Sequence, residues 1–193
     1  MEQDPTAMPP HELFETLSLL LSPRPIGWIS TISADGTPNL APYSFVVPGS
    51  VAPPTMLLCI APDADGEPKD TARNVLDTEA FAYNLVTHDT LAVMAETAGE
   101  IDGSEFAAAD IDSTACERID APRVAGAPAW LECTLREHVR IGENHLFVGD
   151  IAYLGVDDRL ETDDGVDPTA VADHVVGHLA DEHFAGIELL TPE

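Results

Sequence analysis

Prolines and one Asp-Gly pair punctuate the apolar runs of the N-terminal third, and the short segments left between them read as strands. Pro23 and Pro25 end an amphipathic helix over residues 11–21, in which Leu13, Phe14, Leu17, Leu20 and Leu21 lie on or near one face. A strand over Ile26–Ser33 then meets Asp35-Gly36, a strong hairpin signal, and a return strand runs from Asn39 to about Val47. Prolines on both sides bound a third strand, Thr55–Ala61. A polar loop over 62–69 leads to a helix capped by Asp70 or Thr71 and ending near Asp77. A strand over Ala80–Val86 and a helix over His88–Ala98 follow, then an acidic link over 99–112. Two longer strands, Ala129–Ile141 and His145–Val156, flank a turn at Gly142-Glu143-Asn144. A helical turn over 168–173 and a last strand over 186–190 complete the chain. Many β-runs at short spacing with interspersed helices predict a mainly β fold: an antiparallel barrel with peripheral helices. We expect one domain, 1–193, with residues 1–21 as an N-terminal helical extension.

Charge limits the partners. The 193 residues carry 35 Asp plus Glu against 8 Lys plus Arg, a formal net charge of −27, and Lys69 is the only lysine. The acids are dispersed along the chain, unlike a solvated acidic tail. A dispersed acidic coat with almost no lysine is expected of a protein that folds in concentrated salt, where screening lengths shrink to roughly 3 Å at about 1 M. The style is that of halophilic archaeal proteins. Nucleic acid is not an expected partner, because phosphate backbones demand a basic surface. Runs such as Leu17–Leu21 and Met56–Ala61 are far too short to cross a bilayer, and the N-terminus lacks the basic start of a secretory signal, so a cytoplasmic protein is expected. Cys59, Cys116 and Cys133 form no C-x-x-C pair and read as small core residues.

The informative stretches are Ser22-Pro-Arg-Pro-Ile-Gly-Trp-Ile-Ser-Thr31, Asn39-Leu-Ala-Pro-Tyr-Ser-Phe45 and Lys69-Asp-Thr-Ala-Arg-Asn-Val75. A hairpin sets the first two side by side. Trp28, Tyr43 and Phe45 then offer aromatic surface, Thr31 and Ser44 offer hydroxyls, and Gly27, Ala41 and Pro42 let a planar ring approach the backbone. The third stretch suits a phosphate. Its lysine stands at a helix start, where free N–H groups and a partial positive charge favour an anion. Competing readings are core packing for Trp28 and Phe45, ladder-facing hydroxyls for Thr31 and Ser44, a surface ion pair for Arg24 and a solvated loop lysine for Lys69. Arg73 is expected to pair with nearby acids, and Asp70 to cap the helix.

Together these motifs, in this order and followed by Pro53-Pro54, resemble the flavin reductase-like family of FMN-binding split barrels, which includes flavoredoxin-like members. The likeness runs from about Leu20 to Leu190. It implies a split barrel, a homodimer, one FMN per subunit, and NADH or NADPH as electron donor. By motif position Arg24, Trp28, Thr31, Ala41, Pro42, Tyr43, Ser44, Phe45 and Ser50 surround the ring and ribityl chain. Lys69, Asp70, Thr71 and Asn74 lie near the phosphate, with Lys69 at the ring's pyrimidine edge as an open alternative. The chain departs from the family at His178-Leu-Ala-Asp-Glu-His-Phe184, where an arginine has become His178 and a glycine pair Ala180-Asp181. His174, His178 and His183 are not expected to bind metal, since Gly177 weakens the helix that would align them. The expected activity is hydride transfer from nicotinamide to flavin N5. The open alternative is an electron carrier reduced by a protein partner. No catalytic side chain is assigned.

Overall fold

The computed structural model describes residues 2–99 and 101–191. After a 3-10 turn at Pro5–Ala7, helix α1 spans Pro10–Leu20. Strands β1 (Gly27–Ile32) and β2 (Pro38–Tyr43) form the expected hairpin, with Gly27 opposite Tyr43 and Thr31 opposite Asn39. The predicted return strand does not continue to Val47. It ends at Tyr43, and a separate strand β3 (Val46–Val51) pairs with β4 (Pro54–Ile60). Helix α2 (Asp70–Thr78) and strand β5 (Ala80–Leu85) come next.

The helix expected over 88–98 divides into a 3-10 turn, His88–Thr90, and α3, Leu91–Glu96, because Thr87 and Thr90 form a capping box there. Within the acidic link lies a short helix, α4 (Glu105–Ala108), and beyond it a small hairpin, β6 (Ser113–Ala115) and β7 (Pro122–Val124). The two long strands are β8 (Ala129–Ile141) and β9 (Asn144–Val156). They turn through Gly142, whose φ of 60° suits a residue without a Cβ. A minimal hairpin, β10 (Glu161–Thr162) with β11 (Gly165–Val166), precedes α5 (Pro168–His174). The last pair is β12 (Val176–His178) with β13 (Phe184–Gly186). The strand expected over 186–190 is therefore misplaced. Its apolar residues are exposed, and pairing instead exploits the tight turn between His178 and Phe184.

Seven strands form one antiparallel sheet in the order β2-β1-β5-β8-β9-β4-β3. Its two edge strands, β2 and β3, are joined by only Ser44 and Phe45. A sheet whose first and last strands are tethered so closely must curl on itself. The two edges are not hydrogen-bonded to each other, which leaves the barrel split.

Strand β1 is buried on both sides, and its alternation assigns each residue to one of two cores. Ile29 joins Val46, Leu58, Ile60, Phe81 and Phe147 inside the barrel, with Ala72 and Val75 of α2 plugging one end. Trp28 points the other way, into a second core with Leu40, Val86, Met94, Phe106 and Val176. Each large side chain buried in this way contributes about 1.5–3 kcal/mol. Gly149 keeps the barrel interior open for Phe81, since a Cβ there would come within 2.7 Å of that ring. Cys133 is buried, Cys59 and Cys116 are half-buried, and all three are free thiols. Burial raises the pKa of each, those of Cys116 and Cys133 to about 12.

Among the described residues only Glu105 and Glu132 are buried acids. Both are held by backbone donors. Glu132 accepts N–H bonds from Glu117 and Arg118 at 2.9 and 2.6 Å, which ties the loop before β7 to β8. No helix among the described residues is long and apolar enough to cross a membrane.

Candidate cofactor site

A cleft of about 890 Å³ opens where β2, the start of α2 and the segment before α4 meet. Its size falls in the range of about 300–1,000 Å³ usual for small-molecule and cofactor pockets. Six of the residues singled out from sequence line it: Ala41, Pro42, Tyr43, Lys69, Asp70 and Thr71.

Two more, Thr31 and Asn74, stand behind its wall. Thr31 Oγ1 accepts the Asn39 amide at 3.1 Å and the Asn74 amide at 3.0 Å, and Asn39 also donates to Thr71 Oγ1 at 3.0 Å. This buried network fixes the first turn of α2 against the β1–β2 hairpin. It explains why the third motif matters to the first two: the amide of Asn39 physically joins them.

The start of α2 suits an anion. Lys69 occupies the N-cap, and no side chain caps the helix. The expected cap by Asp70 is not formed. Asp70 instead pairs with Arg73, three residues on, and Arg73 also donates to the Pro68 carbonyl. The α2 N–H groups thus lack a side-chain acceptor, and Lys69 has no ion pair among the described residues. Burial, opposed by the nearby Thr71 hydroxyl, pushes the Tyr43 phenol up to about 12, so it stays an O–H donor at neutral pH.

The other predicted residues gather elsewhere. Trp28 is on the opposite face of β1 from Thr31, so the two cannot flank one ring from that strand. The Trp28 indole N–H donates to Thr97 Oγ1 at 2.8 Å, which is the core reading. Ser50 is exposed on β3, its hydroxyl accepting from Ala52 N at 3.1 Å.

Arg24, Ser44 and Phe45 form a second cluster. Arg24 is buried yet has no carboxylate partner among the described residues. It donates to the Ser18 carbonyl, to Ser44 Oγ at 3.2 Å and to His178 Nδ1 at 3.0 Å, and it lies 5.7 Å from the Phe45 ring centroid. Desolvation lowers its pKa, but a guanidinium remains charged.

A guanidinium only donates, so His178 Nδ1 accepts and its Nε2–H donates to the Asp181 carbonyl at 2.9 Å. His178 also stacks on Phe184 at 5.1 Å. The altered C-terminal segment is therefore closed onto Arg24. His174 ends α5 while His178 lies in β12, so the two share no helical face.

Sequence reasoning missed Asn39, Asp63, Asp102 and Glu105 as cleft residues. Asn39 stood in a quoted motif and its strand position opposite Thr31 was a usable signal. The acids came from segments without periodicity, and nothing local marked them.

The Flavin reductase like domain model matches residues 19–175. The chain belongs to the flavin reductase-like family. An uncharacterized protein of Aquifex aeolicus (strain VF5) is 34% identical over 150 residues, spanning 77% of this chain and 76% of the relative. Among solved structures, nitrilotriacetate monooxygenase component B from Bacillus cereus superposes with a TM-score of 0.93 at 23% identity, covering 100% of this chain and 99% of that one. Flavoredoxin of Desulfovibrio vulgaris (Miyazaki F) superposes with a TM-score of 0.76 at 20% identity, covering 89% and 90%. At such identities the superpositions establish the fold, which is the split barrel. Membership of the flavin reductase-like family gives the chain a flavin-related redox function.

Proposed function

We propose that the protein binds FMN in this cleft and works as an NAD(P)H-dependent flavin reductase. The observation that carries the reading is the chain's single lysine at the uncapped start of α2, on the rim of a cofactor-sized cleft. Lys69 and the first N–H groups of α2 would hold the phosphate. Thr71, held by Asn39, would add a hydroxyl, while Ala41 to Tyr43 would present a flat wall to the ring. When bound, FMN supplies the hydride-accepting N5 centre. The protein positions it, excludes water and provides hydrogen bonds.

Anaerobic titration of protein purified in molar KCl tests this. The flavin absorbance near 450 nm is expected to bleach on addition of NADH or NADPH. A flavin-loaded protein that neither donor bleaches, but that a reduced protein donor does, is an electron carrier. The altered segment His178–Phe184, in which Ala180-Asp181 replaces the glycine pair of many family members, favours that second reading.

A second copy of the chain is the partner we propose. Helix α1 exposes Phe14 and Leu17 on one face by 58% and 46%, Leu21 at its C-cap is 68% exposed, and Phe45, with its ring 6.0 Å from that of Phe14, extends the apolar surface. Such a strip on so acidic a chain is costly to leave in water. Sedimentation in molar KCl is expected to give twice the 20.6 kDa chain mass, and a monomer at micromolar concentration would reject the dimer.

A further inference from the structure

Glu105 is 5% exposed, yet it lines the cleft. One of its carboxylate oxygens accepts the Leu40 N–H at 3.0 Å. Leu40 lies in β2, an edge strand, and the next residues of that strand, Ala41 to Tyr43, form the cleft wall. The carboxyl is thus fixed to the wall itself, and α4 is docked by the same bond. Among the described residues four carboxylates line the cleft, those of Asp63, Asp70, Asp102 and Glu105, against two cations, Lys69 and Arg73. Arg73 is already engaged by Asp70. Among the described residues, the charged and titratable groups that line the cleft with Glu105 are Lys69, Asp70 and Arg73 from the start of α2 and its cap, Asp63 from the loop before it, Asp102 from the segment leading to α4, and Tyr43 from β2.

A dianionic phosphate entering this cleft adds negative charge where, among the described residues, Lys69 is the one cation without an ion pair. Of these four carboxyls Glu105 alone is buried, with one oxygen held by the Leu40 N–H, so its charge is the least screened by water and its neutralisation relieves most repulsion. We propose that FMN binding is coupled to uptake of one proton by Glu105, so that the cleft takes the cofactor and a proton together. The proton comes from solvent and stays on the carboxyl, while the oxygen bonded to Leu40 keeps that N–H. Burial, opposed by the N–H groups of Glu105 itself and of Leu40 and aided by Asp70, already holds the Glu105 pKa above its ordinary 4.5 before any ligand arrives. A bound anion raises it further. The sign follows: FMN affinity falls as pH rises through the window between the Glu105 values of the free and the bound protein, and is pH-independent in this respect above and below it.

The inference rests on FMN as the ligand, and the experiment separates the two. Isothermal calorimetry of FMN binding in molar KCl, stepped in pH from the ordinary carboxyl range to neutrality and run at each step in two buffers of different ionisation enthalpy, reads the protons taken up across the window. Glu105→Gln keeps an oxygen for the Leu40 N–H and removes the charge. The wild type is expected to take up more protons than Glu105→Gln, the phosphate's own titration being common to both. Above the window the variant is expected to bind FMN about tenfold more tightly, because its cleft no longer sets a carboxylate against the phosphate. Equal uptake in the two proteins, both binding FMN, overturns the coupling and leaves the FMN reading standing. Wild-type protein that binds no FMN overturns both. Should Glu105→Gln fail to fold, the infrared difference spectrum of the wild type decides. A protonated-carboxyl C=O band is expected to grow on FMN addition, and its absence rejects the coupling.

Discussion

Replacing Lys69 with alanine is expected to weaken FMN binding by about 10- to 100-fold, while riboflavin binding changes little. Hydrogen bonds to charged groups are worth about 1.5–3 kcal/mol, and about 1.4 kcal/mol is a factor of ten in affinity. The loss is large because Lys69 is the one cleft cation without an ion pair among the described residues. Arg73 is held by Asp70 and the Pro68 carbonyl, and the remaining charges of the cleft are carboxylates. Lys69 itself is exposed and makes no ion pair among the described residues, so its removal should leave stability nearly unchanged. The comparison with riboflavin, which lacks the phosphate, decides where the ammonium acts. Equal losses for both flavins would place Lys69 at the pyrimidine edge of the ring. Fluorescence titration of the two flavins in molar KCl measures both affinities, and an unchanged FMN affinity would remove the main support for the proposed site.

The second large effect is that of salt. Transfer from about 2 M to about 0.1 M KCl is expected to lower the thermal midpoint by roughly 10 °C or more. For a chain of this size that corresponds to about 3–5 kcal/mol of unscreened repulsion. The reason is geometric as well as compositional. Of the 35 acids only two are buried among the described residues, so nearly all the charge lies on one surface. Just three ion pairs offset it there among the described residues, Arg73–Asp70, Arg136–Asp150 and Arg159–Asp157, all solvent-exposed and individually weak. As the screening length grows from roughly 3 Å at 1 M toward 10 Å at 0.1 M, carboxylates that ignored one another begin to interact. The same screening acts on the cofactor. A phosphate bound by an ordinary basic site is released by salt, whereas here FMN affinity is expected to rise with KCl. A melting curve that is flat across this range would show that the acidic coat is not an adaptation to salt.

Much of this molecule was legible in its residues. Prolines and the Asp35-Gly36 turn set the ends of the β1–β2 hairpin and of β4, because steric limits on φ act whatever surrounds them. The place of the sole lysine at the head of α2 was equally a local fact, since helix polarity and charge are fixed by the order of residues. What sequence could not supply was which face of each element met what. Trp28 and Thr31 sit three apart on one strand and so point into different cores, a separation that matters only once helices cover both sides of the sheet. The joining of Asn39 to Thr31 and Thr71, the engagement of Arg24 by His178, and the seating of Glu105 on the edge of β2 link residues 8 to 154 positions apart, drawn together as the barrel closes. Such contacts depend on where the chain returns, and no local pattern of polarity encodes that. Local sterics and charge therefore determined the β1–β2 hairpin, the ends of β4 and the anion-ready start of α2, and tertiary closure alone decided which side chains share the cleft.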